Sequence, residues 1–288
     1  MFHKLGLGTW TFGGRVERDP DNNDAADIEA IQNALKAGIK HIDTAQYYAD
    51  GKAEELVGEA IKGFNRKELF IASKVINQLD YDNVLRHCEG SLKRLGIDQL
   101  DLYYVHMPNP EIPVSETAKA FNALMDRGLI KNIGISNALN KTMDEYRAHL
   151  NHPIFASQNQ YNLIAREPQV NGHWDYCQKH KIHAVAWRPI QRPVPLYNVE
   201  PLYKRGVYKM LDDMADKYGK TNVQIAIRWL TQQDNMNIVF KTANPEHLRE
   251  IMEAQNFNLS EADMKELTDN FPHQEKISFI SGGRQPML

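Results

Sequence analysis

Short apolar runs rich in β-branched residues alternate with amphipathic stretches along the chain. Eight of these runs read as strands: KLGLGTW (4–10), IKHIDTA (39–45), ELFIASKV (68–75), LDLYYVH (100–106), IKNIGIS (130–136), IFASQNQ (154–160), HAVAWRP (183–189) and NIVFKT (237–242). Runs such as LFIAS and LYYV lack strict apolar–polar alternation, as expected of parallel strands covered on both faces. Helical patterns lie between them. In DIEAIQNALKAG (27–38), Ile28, Ile31 and Leu35 share one face and Gly38 suits the position just past a helix end; NVLRHCEGSLKRLG (83–96) also closes on a Gly.

Repeated strand–helix units with right-handed crossovers predict a closed (β/α)8 barrel, a TIM barrel whose site lies at the C-terminal ends of the strands. The rival is a doubly wound open sheet. Against it, no G-x-G-x-x-G follows the first strand, and GLGTWTFGG runs into a charged loop instead of a helix. No linker or shift in composition divides the chain, so residues 1–288 are expected to form one domain. The longest loop-like segment, RPVPLYNVEPLYKRG (192–206), follows the seventh strand, and residues 190–206 are a candidate lid on the cofactor side.

Composition changes this picture little but excludes several functions. The 288 residues are 42% hydrophobic and 25% charged, ordinary for a globular enzyme-sized chain. Lys and Arg number 34 against 37 Asp and Glu, which gives no sign of a nucleic-acid surface or a polybasic membrane patch. Cys88 and Cys177 each fall in a helical stretch, so free thiols are expected and no thiolate zinc spacing can be built. The opening MFHKLGLGTW lacks an apolar run long enough for a signal peptide, and a cytoplasmic protein is expected.

Four ionisable residues end, or closely follow, three consecutive strands: Asp43 and Tyr48 after the second, Lys74 on the third, His106 on the fourth. A barrel opens all its strand C-termini onto one face, so these residues are predicted to converge. Taken singly, each has an ordinary structural reading; a strand-end Asp, for example, often caps a helix. Lys74 is the hardest to explain that way, because a lone ammonium in the apolar FIASKV needs a counter-charge, which Asp43 offers. A phenol has a pKa near 10; a neighbouring ammonium is expected to bring Tyr48 down from there, making it a proton donor and acceptor near neutral pH. A neutral His106 would orient the same substrate oxygen.

The ordered set HIDTAQYY with GKAEELVGEAI, then FIASKV, LDLYYVH, IGISN and KTANPE resembles the aldo-keto reductase family over roughly residues 5 to 270. The resemblance implies NAD(P)H-dependent reduction of aldehydes or ketones, with Asp43, Tyr48, Lys74 and His106 as the catalytic tetrad. The family's five-residue step from Asp to Tyr selects Tyr48 over Tyr47. It also implies a cofactor site: Ser136, Asn137 and Gln158 on the nicotinamide carboxamide, and Trp187 where an aromatic stacks under the ring. Arg188 and Arg192 would meet the pyrophosphate, Lys241 and Thr242 the phosphate on the adenosine ribose, with Asn244 and Glu250 extending toward adenine. His247 stands where many NADPH-specific members carry Arg, and Ile251 replaces a usual Asn. NADP(H) is therefore expected through Lys241, with NAD(H) as an alternative. Met107 takes a place often held by Trp and, with Trp10, is expected to wall a shallow substrate pocket. No metal is expected, and the partner is a small carbonyl or alcohol, with a monomer as the default.

Two other readings stay open on the same scaffold: a dehydrogenase working on an alcohol or sugar in the reverse direction, and a nicotinamide-sensing regulatory protein. A metal-dependent hydrolase barrel would want a His-x-His pair near the first strand, which KLGLGTW does not offer.

Overall fold

The computed structural model describes residues 2–190 and 207–271. Its eight parallel strands close into a barrel in sequence order. They are β1 (Leu5–Gly8), β2 (His41–Asp43), β3 (Phe70–Val75), β4 (Leu102–Val105), β5 (Ile133–Ser136), β6 (Ile154–Gln160), β7 (His183–Trp187) and β8 (Met236–Phe240). Pairing of Leu5, Gly6 and Leu7 with Ile238, Val239 and Phe240 joins the last strand to the first and rules out the open sheet. Several predicted strands overran the observed ones by two or three residues. The flanking residues fall outside the strands, although the Thr9 and Thr44 amides still donate to the Asp43 and Ala72 carbonyls of the neighbouring strands, at 3.0 and 2.9 Å. Arg192 and all but one residue of the 190–206 segment lie outside the described residues.

The helices around the barrel are α1 (Asp24–Lys36), α2 (Lys52–Ala60), α3 (Tyr81–Leu95), α4 (Val114–Asp126), α5 (Asn140–His149), α6 (Glu167–Val170), α7 (His173–Lys179), α8 (Val207–Tyr218), α9 (Asn222–Thr231), α10 (Pro245–Glu253) and α11 (Glu261–Asn270). Their ends follow local chemistry. Asp80 caps α3 by accepting from the Asn83 amide, and Gly96, at φ 65°, stops it. Thr221 and Gln224 form a reciprocal capping box on α9.

Strand alternation divides the barrel into two cores. Outward residues such as Leu7, Ile42, Ile71, Tyr103, Ile135 and Ile238 join the helices in one large cluster. Inward residues Phe70, Ala72, Leu102, Tyr104, Ala156, Val185 and Val239 fill the centre. Small inward residues make room for large ones: a Cβ on Gly134 would lie 2.3 Å from the Tyr104 ring, and one on Gly6 would lie 2.5 Å from His41. The interior is thus packed up to the level of Asp43, Lys74 and Gln158. Because these three belong to the same inward set, they lie above the apolar filling, at the C-terminal mouth. Cys88 and Cys177 are buried free thiols on α3 and α7.

Candidate active site

Backbone geometry brings the four predicted residues together. Asp43 ends β2 opposite Ala72 of β3, and Lys74 pairs with Tyr104 of β4. His106 follows β4 directly, its amide donating to the Val75 carbonyl at 2.8 Å. Tyr48 opens a one-turn 3-10 segment, Tyr48–Gly51, in which Ala49, Asp50 and Gly51 are all left-handed, at φ 50°, 54° and 87°. For the two non-glycine residues that conformation costs roughly 1–2 kcal/mol each. It is held by the β1–α1 loop, where the Arg15 carbonyl accepts from Ala49 N at 2.7 Å and the Val16 carbonyl from Asp50 N at 2.8 Å. The charged loop after the first strand therefore props the phenol, a role its sequence did not signal.

Lys74 is fully buried and uses all three ammonium protons. One goes to Asp43 Oδ1 in an ion pair, one to the Thr44 carbonyl at 2.9 Å and one to the Tyr48 hydroxyl oxygen at 3.3 Å. The other Asp43 oxygen accepts from Gln158 Nε2 at 2.9 Å. Trp10 and His106 pack edge-on against the Tyr48 ring, with centroids 5.0 and 5.6 Å away. Met107, next to His106, is half-buried.

The electrostatics correct one expectation. Burial pulls the Lys74 ammonium down, but Asp43 and Tyr48 outweigh it, and its pKa is raised. Burial pushes the Tyr48 phenol up, Asp43 adds to this, and Lys74 opposes it without reversing it. The phenol is therefore held above its ordinary value instead of below it, because its desolvation exceeds the pull of one ammonium that Asp43 largely neutralises. Tyr48 is a neutral O–H. Burial, followed by Lys74, holds His106 well below its ordinary 6.5, so the imidazole is neutral as expected. Its Nδ1 is buried with no hydrogen-bond partner among the described residues.

The predicted cofactor residues fall into two groups. Ser136, Asn137, Gln158 and Trp187 stand beside the four ionisable residues. Asn137, left-handed at φ 55°, donates to the His106 carbonyl at 2.9 Å and to Ser136 Oγ at 3.1 Å, and accepts from the Trp187 indole at 3.0 Å. The Arg188 guanidinium lies 5.5 Å from the centre of the Trp187 ring. Past β8, Lys241 is exposed, its ammonium 4.9 Å from the centre of the Phe12 ring. Thr242 and Asn244 bond to each other at the start of α10, where Asn244 caps the helix through Glu246 N at 2.8 Å. His247 is exposed on that first turn. Glu250 lies on the same helix but takes the Thr221 hydroxyl. No described helix is long and apolar enough to cross a membrane, and no group of three or more potential metal ligands occurs among the described residues.

Comparison with known proteins identifies the family. The sequence profile of the Aldo/keto reductase family matches residues 4–270. The chain belongs to the aldo/keto reductase family. It is 32% identical to aldo-keto reductase YhdN of Bacillus subtilis and 33% identical to methylglyoxal reductase DkgA of Escherichia coli, each alignment covering 92% of this chain and 88% of the relative. Among solved structures, the thermostable aldo-keto reductase Tm1743 in complex with the inhibitor epalrestat superposes with a TM-score of 0.87 at 39% identity, covering 93% of this chain and 95% of that one. An aldo-keto reductase from Klebsiella pneumoniae in complex with NADPH gives a TM-score of 0.81 at 28% identity, over 94% and 92% of the two chains.

Proposed function

We propose that this aldo/keto reductase reduces small aldehydes and ketones to alcohols with NADPH, and that Tyr48 is the proton donor. The observation that carries the reading is the Lys74–Tyr48 hydrogen bond. An ammonium can only donate, so the Tyr48 oxygen accepts from Lys74 and directs its own proton elsewhere, toward the open mouth.

The donor set fits a nicotinamide dinucleotide. Hydroxyl and amide groups stand at the end of β5 and on β6, an indole ends β7, and an exposed cation, held over the Phe12 ring, follows β8. Bound there, the nicotinamide supplies a hydride to the carbonyl carbon. The protein's own groups do the rest. The neutral His106 donates a hydrogen bond to the carbonyl oxygen and fixes its position. Tyr48 transfers its proton to that oxygen, and the charge left on the phenolate faces the Lys74 ammonium, which Asp43 and Thr44 hold in place. Asp43 acts through Lys74 and so positions it. Gln158, bonded to Asp43, links this chemistry to the amide set for the nicotinamide.

Residues 1–288 act in this reading as one barrel unit, with Trp10 and Met107 walling the substrate side. The relative named a methylglyoxal reductase supports a small, reactive carbonyl as substrate. Another relative, NADP-dependent D-sorbitol-6-phosphate dehydrogenase of Malus domestica, is 30% identical over 91% of the chain and marks oxidation of a sugar alcohol as the reverse reading. At neutral pH the Tyr48 phenol carries its proton, the form that reduction requires of it. The test is turnover of an aldehyde, ketone and alcohol panel with both cofactors. Reduction of short-chain aldehydes with NADPH supports the reading; cofactor binding without turnover of any substrate supports a sensing role instead.

A further inference from the structure

Behind the turn that carries Asn137 lies a buried polar relay for which the proposed chemistry has no use. On β6, Gln158 faces into the barrel while Ser157 and Asn159 face the helices. Asn159 grips the peptide units of Ala138, its Nδ2 donating to the Ala138 carbonyl at 3.1 Å and its Oδ1 accepting from Ala138 N at 3.1 Å. The same Nδ2 lies 3.2 Å from Ser157 Oγ. Ser157 Oγ is 2.9 Å from His173 Nε2, and His173 Nδ1 is 2.8 Å from Asn140 Oδ1. Asn159, Ser157 and His173 are all 0% exposed.

The hydrogen-bond directions follow from the ends of the chain. The Asn140 oxygen can only accept, so the His173 proton sits on Nδ1. Nε2 then accepts the Ser157 hydroxyl, and the Ser157 oxygen receives the Asn159 amide. Cys177 Sγ, 3.5 Å from Nε2, completes what resembles a nucleophile–His–Asn set. It is not one: burial pushes the thiol up to about 12 and the imidazole down to about 4, and the thiol reaches no solvent.

The relay's position shows what it does instead. Asn137 N donates to the Gln158 carbonyl at 2.9 Å, after which the chain leaves the sheet toward α5. At Ala138 the Asn159 side chain supplies the two hydrogen bonds that a neighbouring strand would have made. An apolar side chain there would pack as well but would leave a buried N–H and C=O unpaired. The clamp is applied one residue past Asn137, a non-glycine residue in the left-handed region.

We propose that Asn159, oriented by Ser157 and His173, is a positioning residue for the cofactor-facing turn: it holds Asn137 in the one conformation that meets both the His106 carbonyl and the Trp187 indole. The proposal rests on the reading that Asn137 and Trp187 meet the nicotinamide, and it predicts that residues on the outer face of β6 set cofactor affinity without touching cofactor.

The test compares Asn159→Leu, the milder Ser157→Ala and the hydroxyl-retaining Ser157→Thr. One readout is the Trp187 indole N–H resonance, assigned by its loss in Trp187→Phe. The Trp229 indole, bonded to Thr268 Oγ1 at 3.2 Å, is the internal reference. The other is the split between KM for NADPH and kcat. Asn159→Leu is expected to shift the Trp187 signal and speed its hydrogen exchange about tenfold, leaving Trp229 unchanged, and to raise KM about tenfold with kcat altered less than about threefold. Ser157→Ala should move both readouts in the same direction by less, and Ser157→Thr should restore them. If Asn159→Leu does not fold, Ser157→Ala carries the test. An unmoved Trp187 signal in a folded variant, or equal shifts of Trp187 and Trp229, would overturn the proposal. Should the wild type turn over no carbonyl with NADPH, the functional reading fails, yet the indole signals still decide whether Asn159 holds the turn.

Discussion

Lys74 donates to the Tyr48 hydroxyl across 3.3 Å while its remaining protons go to Asp43 and Thr44, so the ammonium is saturated and fixed. Both it and Asp43 are buried, at 0% and 2% exposure. The pair is therefore a structural commitment as well as a chemical one, and the two roles separate by mutation.

Lys74→Met removes the cation and leaves the Asp43 carboxylate buried without a counter-charge. Breaking such a pair costs about 3–5 kcal/mol, which urea unfolding should register. The double variant Asp43→Asn/Lys74→Met removes the stranded charge and should recover most of that loss without recovering turnover. Equal stability of the single and double variants would mean that the carboxylate is not stranded.

Acid should destabilise the protein through histidines outside the active site. His41 and His173 are buried, and burial lowers both from 6.5 to about 4. A folded state that disfavours the imidazolium keeps its full stability above pH 6.5 and loses it as pH falls toward 4, by about 3 kcal/mol for each group. His41→Leu should reduce the pH slope of unfolding free energy in that window by roughly one proton. An unchanged slope would show that His41 is not buried in neutral form. The ring sits at the far end of the barrel, with Phe2 and Phe70 at centroid distances of 5.1 and 5.2 Å, so no effect on cofactor binding is expected.

Lys241 sets the cofactor preference in this account. Lys241→Ala should weaken NADPH binding about tenfold, the scale of one charge-assisted contact, and leave NADH nearly unaffected. Fluorescence titration with both cofactors checks this. Equal weakening of the two would place Lys241 away from the ribose phosphate.

The barrel was legible in the sequence because apolar runs buried on both faces repeat eight times, and because Lys74 inside FIASKV demanded a partner. The placement of Asp43, Lys74 and His106 followed from strand ends alone, since a parallel barrel sends them all to one mouth. Less could be read where side chains act on backbone. Nothing in RVER signals that Arg15 and Val16 brace Ala49 and Asp50, because carbonyl groups carry no sequence identity. The Asn159–Ser157–His173 relay was hidden for a similar reason: Asn159 and Ser157 on β6 meet His173 on α7 and Ala138 before α5 only once the fold brings these elements together. The direction of the Tyr48 shift was misread because spacing shows a neighbouring charge but not how completely a phenol is desolvated.

The most direct test of the account is Tyr48→Phe, assayed with NADPH and a reactive aldehyde alongside a cofactor titration. The substitution removes one hydroxyl and leaves the Trp10 and His106 ring contacts in place. Turnover is predicted to fall by about 10²–10⁴-fold, the range of a general acid, while NADPH affinity stays within about twofold of the wild type. Turnover at the wild-type rate, with the protein folded and cofactor bound, would contradict the account.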